Sequence, residues 1–335
     1  MMAAFAAGLS LVAAALTFVL PPLPTFEVTP KLSHLEAHRG QFDVLFFGSS
    51  RVLRHFAANE FDAQLTAAGH PIRSFNFGID AMPPPESFFV LRQALALRPG
   101  ARWIFIELWD IRTVGDAGSL KTKRFLHWHD PRHTALVLRR LFTDPRVPIG
   151  EKMARASIHL RAAGTHCSQI GRGSEWLETG LAEQDDAPFA EATPWLTRGG
   201  FNPGPGEPIS GSKRAQFEKS VSAIRASFPT SPLPALLGEQ AAQLAREIRA
   251  TGAEPVFIAM PTLNGGENYA GPRAQGIDAD FISLVSPDRF PELYDPDRHN
   301  DVWHLTAQGA RDFTRSLASE FQTVLESHSV PPAKK

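Results

Sequence analysis

Four short apolar runs, spaced by segments of helical periodicity, limit this chain more than any other feature. Residues 44–47 stop at Gly48, residues 72–77 stop at Gly78, residues 103–108 lead into a polar segment, and residues 255–259 follow a helix closed by Gly252. Runs of this length are too short for helices, and the lack of polar alternation in 44–47 and 255–259 marks strands buried on both faces, while 72–77 is more mixed. Helical spacing is expected over 56–68, 86–97, 236–250 and 306–325, with Thr306 as N-cap of the last. Short buried strands alternating with helices predict an α/β fold: a three-layer α/β/α sandwich on a mainly parallel sheet of roughly five strands. In such sheets ligands bind beyond the carboxyl ends of the strands.

The amino end has a separate character. From Met2 to Leu20 there is no charged side chain, and Pro21 and Pro22 then break the run. That length comes close to the roughly 20 residues that cross a bilayer core. The expectation is one transmembrane anchor over 1–20, with a cleaved signal peptide as the competing reading. A stiff linker over 21–39, a main domain over 40–330 and a tail over 331–335 follow. Within the main domain, residues 111–230 abandon the alternation and read as a partly helical insertion, with helices over 135–142 and 151–163. Lys31 and Arg39 are the nearest charges after the run, and taken alone they favour a cytoplasmic domain.

Composition removes several functions. Lys+Arg 34 against Asp+Glu 35 gives a formal net charge of −1, which provides no general attraction for nucleic acid. The single cysteine, Cys167, excludes an intrachain disulfide. His127, His129, Asp130 and His133 lie close together in a local loop, where metal binding competes with ordinary packing. The segment between Lys121 and Arg161 is basic and reads either as a surface for anionic head groups or acidic polymer, or as a solvated helical face. Residues 195–201 read either as a lid or as a surface loop.

Three chemical groups stand out. Gly48-Ser49-Ser50-Arg51 follows the first strand, so the Ser50 hydroxyl can face the crevice. Asp301-Val302-Trp303-His304 precedes the last helix, with the carboxylate three residues before the imidazole. Together they supply a nucleophile, a base and an acid that orients the base. Arg51 is read either as an anchor for a substrate carboxylate or phosphate, or as a salt bridge at the sheet edge.

The chain resembles the SGNH (GDSL-like) hydrolase superfamily over about residues 40–110 and 254–325. The first block is similar to Phe47-Gly48-Ser49-Ser50, with Ser50 in the nucleophile slot. The second matches Asn76-Phe77-Gly78, and the last matches Asp301-Val302-Trp303-His304. The resemblance implies a flavodoxin-like sandwich, a Ser50–His304–Asp301 triad, and an oxyanion site using the Gly78 N–H, with Asn76 and Arg51 nearby. No cofactor or metal is implied. The third block departs: Glu107-Leu108-Trp109-Asp110 has Trp109 where the family carries Asn. Arg51 or Asn264 is the expected substitute donor.

The Gly-Ser-Ser-Arg variant and the anchor resemble a branch that acts beside membrane-bound O-acyltransferases on cell-envelope polymers. This implies a domain on the periplasmic or outer face and an acyl-ester or polysaccharide substrate, with a small group such as acetyl. The competing expectation is a degenerate scaffold or binding subunit of the same machinery.

Overall fold

The computed structural model describes residues 8, 11–13, 15–16, 25, 27–113, 115–169, 193–204, 206–227, 229–263 and 267–329. Most of the apolar amino-terminal run lies outside these residues, as do Asn264 and the tail. Among the described residues, no helix is long and apolar enough to cross a membrane.

The strands are β1 (Val44–Gly48), β2 (Ser74–Gly78), β3 (Trp103–Glu107), β4 (Glu254–Ala259) and β5 (Asp280–Ser283). The helices, in chain order, are α1 (Val28–Ala37), α2 (Ser50–His55), α3 (Ala58–Ala67), α4 (Glu86–Ala96), α5 (Lys123–His127) and α6 (Pro131–Thr143). They continue with α7 (Ile149–Ser168), α8 (Thr193–Leu196), α9 (Gly211–Ala226), α10 (Ala235–Arg249) and α11 (Ala307–Ser329). All five strands are parallel, in the order β2-β1-β3-β4-β5, and helices flank the sheet. This order reverses its winding between β1 and β3, where the crevice of an open parallel sheet forms.

Contacts divide the chain into two compact units. One holds Met1–Pro30, Pro84–Val90 and Ile111–Ala192; the other holds Lys31–Pro83, Leu91–Asp110 and Thr193–Lys335. The expected insertion therefore divides near residue 192, because residues 193–230 belong with the sheet.

In the sheet unit, alternation along β1 sorts its side chains. Phe46 is fully buried and stacks on Phe56 at 3.5 Å and on Phe105 at 4.2 Å between ring centroids. Phe105 in turn meets Phe321 of α11 edge-on at 4.9 Å. Phe47 stacks on Phe77 at 4.9 Å. Each buried phenyl ring contributes on the order of 2–3 kcal/mol, so the Phe46–Phe105–Phe321 layer helps seat α11 against the sheet.

Three elements differ from the sequence expectation. β2 begins at Ser74 rather than residue 72, because Ile72 and Arg73 are not buried. β5, the last strand in the row, is only four residues long and too mixed in polarity to be read from pattern. The six residues of α2 carry two arginines and a histidine, and their apolar content is too small to show a period.

β2 lies at one edge of the sheet and is covered by the turn after α8. Gly199 O accepts the Asn76 N–H at 2.8 Å, and Leu53 O accepts the Asn202 N–H at 3.1 Å. Lys31 of α1 reaches in from outside, fully buried, and donates to Asn76 O at 2.8 Å, Gly78 O at 2.7 Å and Gly200 O at 3.0 Å. A buried ammonium is tolerated only where its donors are satisfied; here the three carbonyls satisfy them and tie helix, strand edge and turn together. Residues 195–201 are pinned along the sheet edge, a placement that does not suit a mobile lid.

In the other unit, Phe89 lies edge-on to His127 and His133. His129 Nε2 and His159 Nδ1 share a hydrogen bond of 2.8 Å, and His129 Nδ1 donates to Phe125 O at 2.6 Å. Burial lowers His129 to about 3. These histidines are packed, and among the described residues no group of three or more His, Cys, Asp or Glu is arranged to hold a metal. Several basic side chains of residues 121–161 are matched locally: Arg124 with Glu86, Arg140 and Arg146 with Asp144, and Arg155 with Glu151.

The turn over β2 yields a stability prediction. Gly200 has φ +82°, and a Cβ added there would lie 2.1 Å from Asn76 O. Gly200→Ala is expected to cost about 2–4 kcal/mol, from positive-φ strain and the clash together. A urea titration would register this as a lower midpoint with unchanged slope.

Candidate active site

A glycine ends β1 because space allows nothing larger. A Cβ on Gly48 would lie 2.4 Å from Val52 Cγ2 and 2.5 Å from Glu107 Oε2. The chain then turns directly into α2. Ser49 is its N-cap, and the Ser49 hydroxyl accepts the Arg51 N–H at 3.2 Å. Ser50 is the first helical residue and is half-buried at the carboxyl end of β1.

From the other end of the sequence, the turn before α11 brings Asp301 and His304. Asp301 Oδ1 accepts the Trp303 N–H at 2.6 Å and the His304 N–H at 2.8 Å, closing the turn on its own side chain. Asp301 Oδ2 accepts from His304 Nδ1 at 2.8 Å. With that proton on Nδ1, Nε2 is the acceptor, and the Ser50 hydroxyl donates to it at 2.8 Å. The three side chains named from sequence therefore form one continuous hydrogen-bonded chain. Thr306 Oγ1 accepts the Gly309 N–H at 3.2 Å and starts α11 immediately behind the imidazole.

Burial works against the Asp301 charge, but the hydrogen bonds from His304 and the two backbone N–H groups outweigh it. The carboxyl is held below its ordinary value.

The remaining expected site residues have other partners. Asn76 is fully buried, and its Nδ2 donates to Val52 O at 2.8 Å, Leu53 O at 3.3 Å and Phe56 O at 2.7 Å. Its Oδ1 accepts the Gly78 N–H at 2.8 Å. The Gly78 N–H, expected to face an oxyanion, is thus already bonded, and Asn76 is occupied in holding the carboxyl end of α2. Gly78 itself permits this approach, since a Cβ there would lie 2.2 Å from Leu53 N.

Arg51 points inward. It is 2% exposed, donates from Nε to Glu107 Oε1 at 2.6 Å and from Nη1 to Glu267 Oε2 at 2.8 Å, and lies 4.5 Å over the Trp109 ring. Burial opposes its charge, but the two carboxylates prevail and raise its pKa above the ordinary value. A substrate anion at Arg51 would have to displace buried carboxylates. Glu107 also accepts the Ser49 N–H at 2.6 Å and the Ser49 hydroxyl at 3.2 Å, so this acid holds the residue before the nucleophile candidate.

Two contributors were not read from sequence. Glu107 ends the apolar run of β3, and its polarity in an otherwise buried strand was the available signal. His55 had none, since a histidine on a short unrecognised helix resembles any surface residue. It is 1% exposed, and its Nε2 accepts the Leu305 N–H at 3.1 Å.

No known protein-family model matches this chain, and no curated protein is significantly similar to it. The fold and the site define it as a parallel α/β protein with a Ser–His–Asp hydrogen-bonded chain at the carboxyl edge of its sheet.

Two measurements follow from this geometry. Asn76→Ala removes the side-chain donor from Phe56 O, Val52 O and Leu53 O and the acceptor from the Gly78 N–H, and is expected to lower stability by about 2–4 kcal/mol in chemical denaturation. The Asp301 carboxyl, held below its ordinary 3.8, adds stability that is present above that value and is lost as pH falls through the lower folded value. Asp301→Asn should flatten that acid arm in melting curves taken between about pH 5 and pH 2.

Proposed function

We propose that this protein is a serine esterase or O-acyltransferase of the SGNH type, acting on ester-linked acyl groups through Ser50, His304 and Asp301. The observation that supports the reading is the 2.8 Å bond from the Ser50 hydroxyl to His304 Nε2, whose ring is oriented by Asp301. Packing alone does not require a half-buried hydroxyl, an imidazole of fixed tautomer and a lowered carboxylate in series. The same series is what acyl transfer requires.

The steps are a double displacement. Ser50 Oγ attacks the ester carbonyl carbon while its proton moves to His304 Nε2, and the imidazolium is stabilised by Asp301. The carbonyl oxygen takes the negative charge. The Ser50 N–H, in the first turn of α2 where no intrahelical acceptor exists, is the backbone donor this reading assigns to it. Collapse expels the alcohol, which takes the proton from His304. Water or a sugar hydroxyl then gives its proton to His304 and attacks the acyl-serine, releasing Ser50. Neither Gly78 nor Asn76 enters these steps, because each is bonded within the fold.

The family resemblance extends the proposal to a small acyl group such as acetyl, an envelope polysaccharide as donor or acceptor, and action beside a membrane-bound O-acyltransferase. The uncharged run from Met2 to Leu20 supports a single membrane anchor, and the resemblance, against the charge reading of Lys31 and Arg39, puts the catalytic domain on the periplasmic or outer face.

A second reading, a binding or scaffolding subunit with little turnover, is favoured by one observation. Trp109 stands in the third-block Asn slot and packs on Arg51, and the Gly78 donor is occupied, so the oxyanion is thinly served. Losing one such donor costs about 10²–10³ in rate.

A fluorophosphonate probe on the full-length protein separates the readings. Wild type is expected to be labelled and Ser50→Ala not at all, with Asp301→Asn slowed by about 10³–10⁴. Folded wild type that takes no label would sink the enzyme reading and leave the scaffold.

A further inference from the structure

We infer that His55 is a positioning residue for the reaction proposed above, setting His304 relative to Ser50 through the Leu305 amide. The inference rests on that reading of the triad and concerns how its two halves are brought into register. Ser50 and His304 are 254 residues apart in sequence, and their hydrogen bond spans 2.8 Å. Something must fix α2 against the turn before α11 to that accuracy, since a displacement of about 1 Å at a catalytic group can cost 10²-fold.

His55 is the last residue of α2, which begins with Ser50. Its Nε2 accepts the N–H of Leu305, the residue directly after His304. Accepting there requires the proton on Nδ1, and burial keeps the ring uncharged, reinforced by the nearby His304, His299, Arg51 and Arg54. One imidazole therefore links the helix that carries the nucleophile to the peptide that carries the base. The far side of the link is rigid as well. Leu305 is fully buried, the Asn300 N–H donates to His304 O at 3.0 Å, and Asn300 Nδ2 donates to Leu305 O at 3.3 Å. On the near side, the Thr314 hydroxyl of α11 donates to His55 O at 3.2 Å and accepts the Ala57 N–H at 3.0 Å.

The position is a poor choice on stability grounds. Among the described residues His55 Nδ1 has no hydrogen-bond partner, and a buried donor unmatched by the protein is destabilising. A leucine would fill similar space without that penalty, but it would leave the Leu305 N–H without an acceptor. The rings of His55 and His304 lie edge-on, 6.2 Å between centroids. A neutral ring there leaves the imidazolium formed on His304 free of a like charge.

The test compares His55→Leu, which removes the acceptor, with His55→Gln, whose Oε1 can take the place of Nε2, and His55→Asn, whose shorter amide cannot reach it. Each full-length variant is assayed for its rate of fluorophosphonate labelling, for kcat and KM on an aryl acetate, and for melting temperature. The expected result is at least about tenfold slower labelling and lower kcat for Leu and Asn with KM little changed, and Gln within about threefold of wild type. Should Leu fail to fold, the Gln and Asn comparison decides alone. Equal labelling across the folded variants, or losses that track melting temperature with no recovery in Gln, overturns the positioning role while leaving the triad intact. Folded wild type that takes no label overturns the triad reading itself, and the inference with it.

Discussion

A helix of six residues cannot sustain itself in water, because nucleation alone costs more than its few internal bonds return. α2 is held by the buried Asn76 side chain, which meets two of its carbonyls and that of its C-cap Phe56, and with its oxygen accepts the Gly78 N–H at the end of β2. That single amide fixes the geometry of β1, α2 and β2 together, and the placement of Ser50 depends on it. Lys31 secures the same strand from the outside by holding the backbone oxygens of Asn76 and Gly78. The edge strand is thus braced through a side chain by an amide and through its backbone oxygens by an ammonium.

At the other boundary of α2 the brace is ionic. Arg51, Glu107 and Glu267 bring three formal charges into a region nearly closed to water. Desolvating such groups is expensive, and buried ion pairs are weak evidence of net stability. Their value here is directional. Glu107 takes both the Ser49 N–H and its hydroxyl, so the arginine that neutralises the acid also fixes the peptide preceding Ser50. Trp109 closes the arrangement by stacking on the guanidinium. Trp109 is, in this fold, a packing partner for a buried cation.

Much of the sheet was legible because burial on both faces leaves unbroken apolar runs, and β1, β3 and β4 lie close to the expected positions. β5 was not, since a four-residue edge strand needs only one face buried and carries Asp280 and Ser283 at its ends. The Ser50, Asp301 and His304 chain was visible because each residue sits in a local motif with its own spacing. The roles of Asn76, Gly78 and Arg51 were not, because a motif specifies which residue is present and not which way it bonds. An Asn near a strand end serves equally well as a ligand contact or as a helix cap; only the carbonyls left open by α2 decide between them. His55 was invisible for a related reason, as its partner lies 250 residues away.

The distance along the polypeptide between the hydroxyl and its proton acceptor has a consequence for biosynthesis. Until α11 has docked its Phe321 on Phe105 of the sheet, Ser50 has no base beside it, however well the earlier strands have paired. A nascent or carboxyl-truncated chain would present an ordinary, unreactive alcohol. Under the chemistry proposed above, appearance of a reactive serine would mark the completion of folding, and an incompletely translated copy would be chemically silent.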